Sequence, residues 1–503
     1  MATRIAASPK KTLVDHIRVL ARPLNSVPSS ITAAVPGQFA AFEEKHEPAP
    51  TGPSPPIDLS DPGRLFASVP TTRLIHSVAN LHAAAVDPLV DLGIKVMTSR
   101  LVTGTGPARD IVIGAVKRTF YKHFCGGEDT VEAAETVRQL NEAGLRGMLD
   151  YAVEDAEDNP SCDQNLEAFL QTVASTKTLP QGCVSFVIVK ITAICPISLL
   201  QRVADLLRWQ KKNPEFHLPW KHYSYPILSD STPVYHTPAE PEPLTPQEEA
   251  NLLLAQERLR RIGKKCEEYN IPLCIDAEYT AVQPAIDYFT YSSAMEHNKH
   301  EPIIYGTLQA YLKDAKERLL LKSEAAQKMG ILMGVKLVRG AYMTTEAKLA
   351  HSLGYESPIH NSLQETHDCF NNCASFMLEK IAGGSGAVVL ATHNVESGQL
   401  AAMKARDMGM SSGNHRLEFA QLYGMADSFS FGLKNAGFRV SKYMPFGPVD
   451  QVMPYLLRRA EENRGLLSAS TLDRQLMRYT FENAVQLSAS AGTNMKNQKN
   501  LTS

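Results

Sequence analysis

Charged and hydrogen-bonding side chains stand at the ends of short apolar runs: Val189-Lys190-Ile191-Thr192, Ile275-Asp276-Ala277-Glu278, Leu308-Gln309-Ala310-Tyr311, Lys336-Leu337-Val338-Arg339-Gly340-Ala341-Tyr342, Ala391-Thr392-His393-Asn394 and Lys442-Tyr443-Met444-Pro445. An ammonium or carboxylate inside a strand buried on both faces is costly unless it is paired or holds a ligand. The two-residue period of a strand puts Lys190 with Ile188, Asp276 with Glu278, and Lys336 with Val338 on shared faces. A structural ion pair between Lys190 and Asp276 is one reading; convergence of several strand ends on one ligand site is the other. Arg339 has the opposite parity to Lys336, and Gly340 could end the strand and let it turn. Farther on, Tyr455, Arg459 and Glu462 share a helical face at i, i+4 and i+7, with Arg458 about 100° away. A guanidinium pair suits a carboxylate ligand because each fork offers two parallel donors. The bland alternative is a solvated charged helix.

A site so rich in donors would suit a phosphate-bearing redox cofactor. No G-x-G-x-x-G follows a strand, since Gly104-Thr105-Gly106 lacks the third glycine and Gly383-Gly384-Ser385-Gly386 precedes its run, which argues against a doubly wound dinucleotide site. There is no P-loop, no H-E-x-x-H and no zinc-spaced His/Cys set, so no metal is expected.

The elements that must position these residues follow a rhythm of short apolar runs separated by helical patterns. The runs are Leu145 to Val153, Val184 to Ile194, Pro272 to Glu278, Ile303 to Tyr311, Ile331 to Val338, Ala387 to Asn394, Leu417 to Met425 and Phe438 to Pro445, with a closing helix over Val449 to Asn463. Eight strands alternating with helices predict a (β/α)8 barrel, whose chemistry sits at the carboxyl ends of its strands. The barrel is expected over 144–465, with a proline-rich surface insertion at 209–246. A helical arm, 71–143, precedes it, with helices over Thr72 to Val90 and Thr130 to Leu140. A proline-rich linker, 43–70, leads in, and a tail, 466–503, leads out. The first 42 residues carry Arg4, Lys10, Lys11, Arg18 and Arg22 against Asp15 alone and are expected to be a mitochondrial transit peptide, with a chloroplast one or a disordered leader as the alternatives.

The whole chain of 503 residues carries a formal charge of −2 and is 44% apolar, which fits a globular protein and gives no bulk attraction to nucleic acid. Eight cysteines without a C-x-x-C are expected to stay reduced,; Cys369 and Cys373, four apart, read as helix packing. No apolar run reaches bilayer-spanning length, so membrane association is expected to be peripheral.

The segments Lys336 to Tyr342, Ala391 to Asn394, Gln421-Leu422-Tyr423-Gly424-Met425, Tyr443-Met444-Pro445-Phe446-Gly447-Pro448 and Arg458 to Asn463 occur in the order found in proline dehydrogenases. From about Asp58 to Gly465 the chain resembles that family, in its plant mitochondrial form. The resemblance implies an FAD-containing distorted (β/α)8 barrel that oxidises L-proline to Δ1-pyrroline-5-carboxylate and passes electrons to ubiquinone, on the matrix side and peripheral to the inner mitochondrial membrane. Carried over by motif, Lys336, Val338, Gly340 and Ala341 would line the flavin, with Asp276, Ala277 and Gln309 beside it. Thr392, His393 and Asn394 would face its ribityl, phosphate or adenine portions. Arg458 and Arg459 would clamp the substrate carboxylate, Glu462 would hold the arginines or the cofactor, and Lys190, Asp276, Leu422, Tyr443 and Tyr455 would surround the proline ring. Lys190, Asp276, Lys336 and Tyr443 are the expected catalytic set. Tyr443 stands where hydroxyproline-oxidising relatives have a smaller residue, which favours proline. Ala420 departs from the glutamine that bacterial relatives place against the cofactor. Near the first strand, Glu154 or Asp158 could gate the site with Arg458, although solvated acids are the simpler reading. A folate reductase of the flavin-barrel type and a barrel that has become a binding subunit are the rivals. The arginine helix and the charged strand ends speak against them.

Overall fold

The computed structural model describes residues 56–83, 86–97, 99, 106–221, 234–410, 413–465 and 472–480. The expected transit peptide and residues 43–55 of the proline-rich linker lie outside them, as do residues 222–233 of the insertion and most of the tail.

All eight expected strands form: β1 (Arg146–Tyr151), β2 (Val184–Val189), β3 (Leu273–Ile275), β4 (Ile304–Gln309), β5 (Gly334–Val338), β6 (Ala387–Ala391), β7 (Leu417–Leu422) and β8 (Val440–Phe446). They close in sequence order into a parallel barrel, with β8 registered on β1 from Arg146↔Ser441 to Tyr151↔Phe446. Each strand is shorter than its apolar run, and for two of them the local reason is plain. Past β2, Ile191–Ala193 is a 3-10 turn and not strand, because a buried apolar run packs equally well in either backbone. Before β5, Gly330 turns with φ +66°, and the helix ending at Lys328 claims Ile331, whose N–H bonds to Ala326 O at 3.0 Å.

The arm contributes α1 (Thr71–Ala83), α2 (Asp87–Met97), α3 (Pro107–Val116) and α4 (Thr130–Glu142). The single helix expected over Thr72 to Val90 is thus two. Pro88 sits at the second position of α2, where its missing N–H costs nothing. Around the barrel run α5 (Asn159–Ser175), α6 (Ile197–Lys212), α7 (Pro246–Glu268), α8 (Gln283–His297), α9 (Ala315–Lys328), α10 (Met343–Ser352), α11 (Leu363–Ala382), α12 (Val395–Asp407) and α13 (Asp427–Asn435), followed by α14 (Val449–Gly465). Because α6 continues to Lys212, the residues expected to open the insertion at 209 are helical. The expected tail also contains a helix over residues 472–480. Its Asp473 carboxylate caps α13 by accepting from Asp427 N at 2.9 Å and Ser428 N at 3.0 Å.

The distortion of the barrel positions the site. The helix that packs beside β1 is α4, from the arm, while α14 packs on α2. Val90 and Met97 of α2 share one apolar cluster with Tyr121, Phe124, Val449, Val452, Met453, Tyr455 and Leu456. The helix after β8 is thereby held with the arm and Ala152, just beyond the carboxyl end of β1, instead of filling the outer ring. Among the described residues no helix is long and apolar enough to cross a membrane. All eight cysteines are buried and free, with Cys369 and Cys373 on the packed face of α11.

Candidate active site

Inside the barrel, Met148, Phe186, Ile188, Cys274, Tyr305, Ala387, Val389 and Ala420 form an apolar layer. Two residues farther along the strands, the same faces present Asp150, Lys190, Asp276, Thr307 and Ala391. Strand pairing sets Lys336 against Thr307 and Val389, and Tyr443 against Met148 and Leu422. Period-two alternation therefore lifts the chain from a hydrocarbon floor to a charged layer at the carboxyl ends. Lys190 is 7% exposed, Asp276 9%, Lys336 4% and Asp150 2%.

These groups satisfy one another. Lys190 Nζ donates to Asp150 Oδ1 at 3.2 Å and Oδ2 at 3.4 Å and stands 3.6 Å from Asp276 Oδ2. Lys336 donates to the other oxygen of Asp276 and lies 5.0 Å from the centre of the Tyr443 ring. Tyr443 OH is 2.8 Å from both Asp150 Oδ2 and Asp276 Oδ2. Burial works against charge on Asp276, yet Lys336 and Lys190 outweigh it and hold the carboxyl below its usual value. Asp150 is pushed up, first by burial, then against Lys190 and with the help of Asp276. Burial, followed by the two carboxylates, raises the Tyr443 phenol well above 10. Both lysines are held above their usual value, because the facing carboxylates outweigh burial. The single hydroxyl proton of Tyr443 can be donated to only one carboxylate at a time, so Asp150 and Asp276 compete for it,.

Above this layer a narrow recess is lined by Asp150, Ala152, Glu154, Lys190, Gln451, Pro454, Tyr455 and Arg458. Arg458 pairs bidentately with Glu154, at 2.7 and 3.2 Å. The reading of Glu154 as a solvated acid is corrected: burial opposes its charge, Arg458 outweighs burial, and the carboxyl falls below its usual value. Asp158, by contrast, is an exposed cap that accepts from Ser161 N at 2.9 Å. Arg459 is 6% exposed, with its guanidinium 5.2 Å from the centre of the Tyr455 ring. Its charge, with Lys442 and Arg339, adds to burial in lowering His393 to about 3. Glu462 lies in α14, but its side chain is outside the described residues.

The remaining expected residues divide. Gly340 has φ +137°, and a Cβ there would fall 1.6 Å from the Tyr311 ring, so only glycine fits this approach. Val338 and Ala277 are half-buried, Ala341 is exposed and Leu422 ends β7 half-buried. Gln309 spends its amide N–H on Glu278 O at 2.9 Å. Asn394 caps α12 through Ser397 N at 2.7 Å, Thr392 Oγ1 accepts from Arg339 at 2.6 Å, and His393 Nε2 accepts from Leu422 N at 3.0 Å. That bond leaves the imidazole neutral. Arg339 keeps its strand parity and points outward, to His367 Nδ1 at 3.0 Å, Thr392 and Ser397 Oγ at 2.8 Å. These three acceptors are uncharged, and burial lowers the Arg339 pKa to about 10, so a cation is held at the β5–β6 edge among neutral partners.

Asp150 was legible and missed: it stands in the apolar run Gly147-Met148-Leu149-Asp150-Tyr151, a charged residue at a strand tail like those of β3 and β5.

A closed eight-stranded parallel barrel with acids, lysines and a tyrosine buried at its mouth, under an arginine-bearing helix, defines a (β/α)8-barrel enzyme. The family model described as proline dehydrogenase matches residues 133–471. Two Arabidopsis thaliana proteins are 56% identical to this chain. One, proline dehydrogenase 2, mitochondrial, aligns over 437 residues, 86% of this chain and 92% of its own. The other, proline dehydrogenase 1, mitochondrial, aligns over 457 residues, 89% and 91%. A solved structure of proline utilization A from Bdellovibrio bacteriovorus inactivated by N-propargylglycine shares the fold, with TM-score 0.55 and 21% identity over 81% of this chain. This chain spans about two fifths of that longer protein, covering 39% of it. The chain belongs to the proline dehydrogenase family. It is an enzyme of proline catabolism and, like its close relatives, mitochondrial.

Proposed function

We propose that the enzyme oxidises L-proline to Δ1-pyrroline-5-carboxylate with FAD, and that the electrons pass on to ubiquinone from a protein lying peripherally on the matrix side of the inner mitochondrial membrane. The observation that carries the reading is the convergence of Lys190, Asp276, Lys336 and Tyr443 from four strands beneath Arg458 and Arg459.

The residues present suit a flavin. Gly340 is exposed at the end of the β5 tail, with the side where a Cβ would stand filled by the Tyr311 ring. Lys336 brings a positive charge to the barrel axis, and Arg339 holds a guanidinium among neutral acceptors, the electrostatics that an anionic cofactor needs. Val338, Gly340 and Ala341 on the β5 tail would hold it, with Ala277 and Gln309 beside them and Thr392, His393 and Asn394 at the β6 edge. Because Thr392 and Asn394 already serve Arg339 and α12, their support acts through the framework as much as by contact. When bound, the flavin supplies at N5 an acceptor for the hydride of proline C5.

The chain's own residues bind, orient and manage protons. Arg458 and Arg459 receive the carboxylate, and Tyr455 and Leu422 bound the ring. Lys190 and Asp150 line the recess where the substrate nitrogen enters. Hydride loss requires a neutral amine, and the Asp150–Tyr443–Asp276 chain can take up and redistribute the released proton without exposing a bare charge. Lys336 stabilises negative charge that develops beside it. The Glu154–Arg458 pair closes the recess, and admission of a carboxylate exchanges one anionic partner of Arg458 for another.

Acid precipitation of the purified enzyme is expected to release FAD into the supernatant, about one per chain, identified by chromatography. A colourless protein, or release of FMN alone, overturns the cofactor assignment.

A further inference from the structure

The proline-rich insertion packs on the barrel through Leu218, Trp220 and Leu244, and at a separate place it makes a polar clasp. Its short turn Val234–His236 is followed by Thr237, and both His236 and Thr237 bind the network that fixes the loop after β3. The key residue is Thr280, 1% exposed, four positions beyond Asp276.

Every polar group of Thr280 is taken. Its N–H and hydroxyl donate to the two oxygens of Glu346, each at 2.6 Å. Its carbonyl accepts from Arg208 Nη2 at 2.7 Å, and the same nitrogen donates to Ala281 O. The hydroxyl proton being committed to Glu346, the 2.9 Å contact between Thr280 Oγ1 and His236 Nε2 is a bond donated by the imidazole. Burial, with Arg208 nearby, keeps that imidazole neutral. Arg208 is steered in turn: Asp205 Oδ1 accepts from it at 2.8 Å and from Thr237 Oγ1 at 2.6 Å, and Thr237 O accepts from Lys212 at 3.0 Å.

These bonds join three pieces of chain. Glu346 lies in α10, directly after the Lys336 to Ala341 tail of β5. Thr280 closes the segment carrying Asp276 and Ala277, whose next residue, Glu278, is held by Gln309 of β4. His236 and Thr237 come from the insertion. We infer that His236 and Thr237 are positioning residues for proline oxidation: they clasp Thr280 and Arg208, and so hold the β3 segment, with Asp276 and Ala277, in register with the β5 tail. The clasp rests on the proposed site in one respect, namely that Asp276 and the β5 tail serve substrate and flavin.

The test compares His236→Phe, which keeps the ring and loses the donor, with His236→Gln, which returns an N–H at a similar reach. In the holoenzyme, His236→Phe is expected to lower kcat for proline and to weaken FAD retention by about tenfold each, with KM within about twofold because the arginine helix is untouched. His236→Gln restores both to within about threefold. Thr280→Val is expected to produce the same loss and to add little when combined with His236→Phe, since both break one chain of bonds. Normal kcat and FAD retention in His236→Phe overturn the clasp. So does a His236→Gln enzyme as impaired as His236→Phe, which would assign the residue to packing alone, or full additivity with Thr280→Val. Should His236→Phe fail to fold, Thr237→Val is read by the same two measurements. A wild-type enzyme that turns over proline without releasing FAD would refute the cofactor reading, while kcat with an artificial dye acceptor would still decide the clasp.

Discussion

Replacing Arg459 by Met raises the KM for proline by about 10² or more, through loss of charge-assisted bonds to the substrate carboxylate worth roughly 3 kcal/mol. The guanidinium is almost fully buried and stacked over Tyr455, so its side-chain freedom is spent before substrate arrives, and little is lost on binding. Met keeps the stem that packs on the ring and removes only the charged fork. Steady-state kinetics with proline, beside the thermal midpoint of the same preparation, read the prediction: KM rises steeply while the midpoint moves little. An unchanged KM would remove Arg459 from the clamp and leave Arg458 as the carboxylate partner.

The substitution Asp276→Asn strikes the centre of the charged layer. It leaves the buried Lys336 ammonium without its carboxylate and Lys190 with Asp150, and an uncompensated buried charge costs about 3–5 kcal/mol. Turnover falls by about 10² or more, because Lys336 loses its anchor and Tyr443 loses one of its two acceptors. The pH dependence gives an independent check. A carboxyl held below its usual value contributes stability that is fully present above the unfolded pKa of about 4 and is lost as pH falls through the lowered folded value. The wild-type enzyme therefore loses stability on the acid side through Asp276, and Asp276→Asn lacks that part of the decline. Urea unfolding from pH 7 downward measures both. Equal midpoints for the two proteins at neutral pH would mean that the lysines are satisfied elsewhere.

The barrel was legible because its signal is repeated. Eight apolar runs, each ended by polar residues or glycine, leave few architectures open, and the closing helix expected over Val449 to Asn463 runs from Val449 to Gly465. The site was legible for the same reason: a lysine or aspartate at the tail of a doubly buried strand carries a cost that only pairing or a ligand offsets. What pattern could not supply was partnership. Lys190 does approach Asp276, as the structural ion-pair reading holds, but its nearer carboxylate is Asp150, on a strand whose tail had gone unread. Glu154 looked solvated because Glu154-Asp155-Ala156-Glu157-Asp158 is an acidic stretch. Only the packing of α14 with the arm, which no local pattern encodes, brings Arg458 down on it. His393 and Asn394 show the converse: residues expected to face a cofactor also hold Leu422 and α12 in place.

The most direct test of the account is the anaerobic addition of proline to the purified enzyme while the flavin absorption near roughly 450 nm is followed. The account predicts that the band bleaches with proline and that Arg459→Met needs about 10²-fold more proline for the same bleaching. A flavin band that stays intact at saturating proline, in a preparation that still converts proline when an acceptor is supplied, would contradict it.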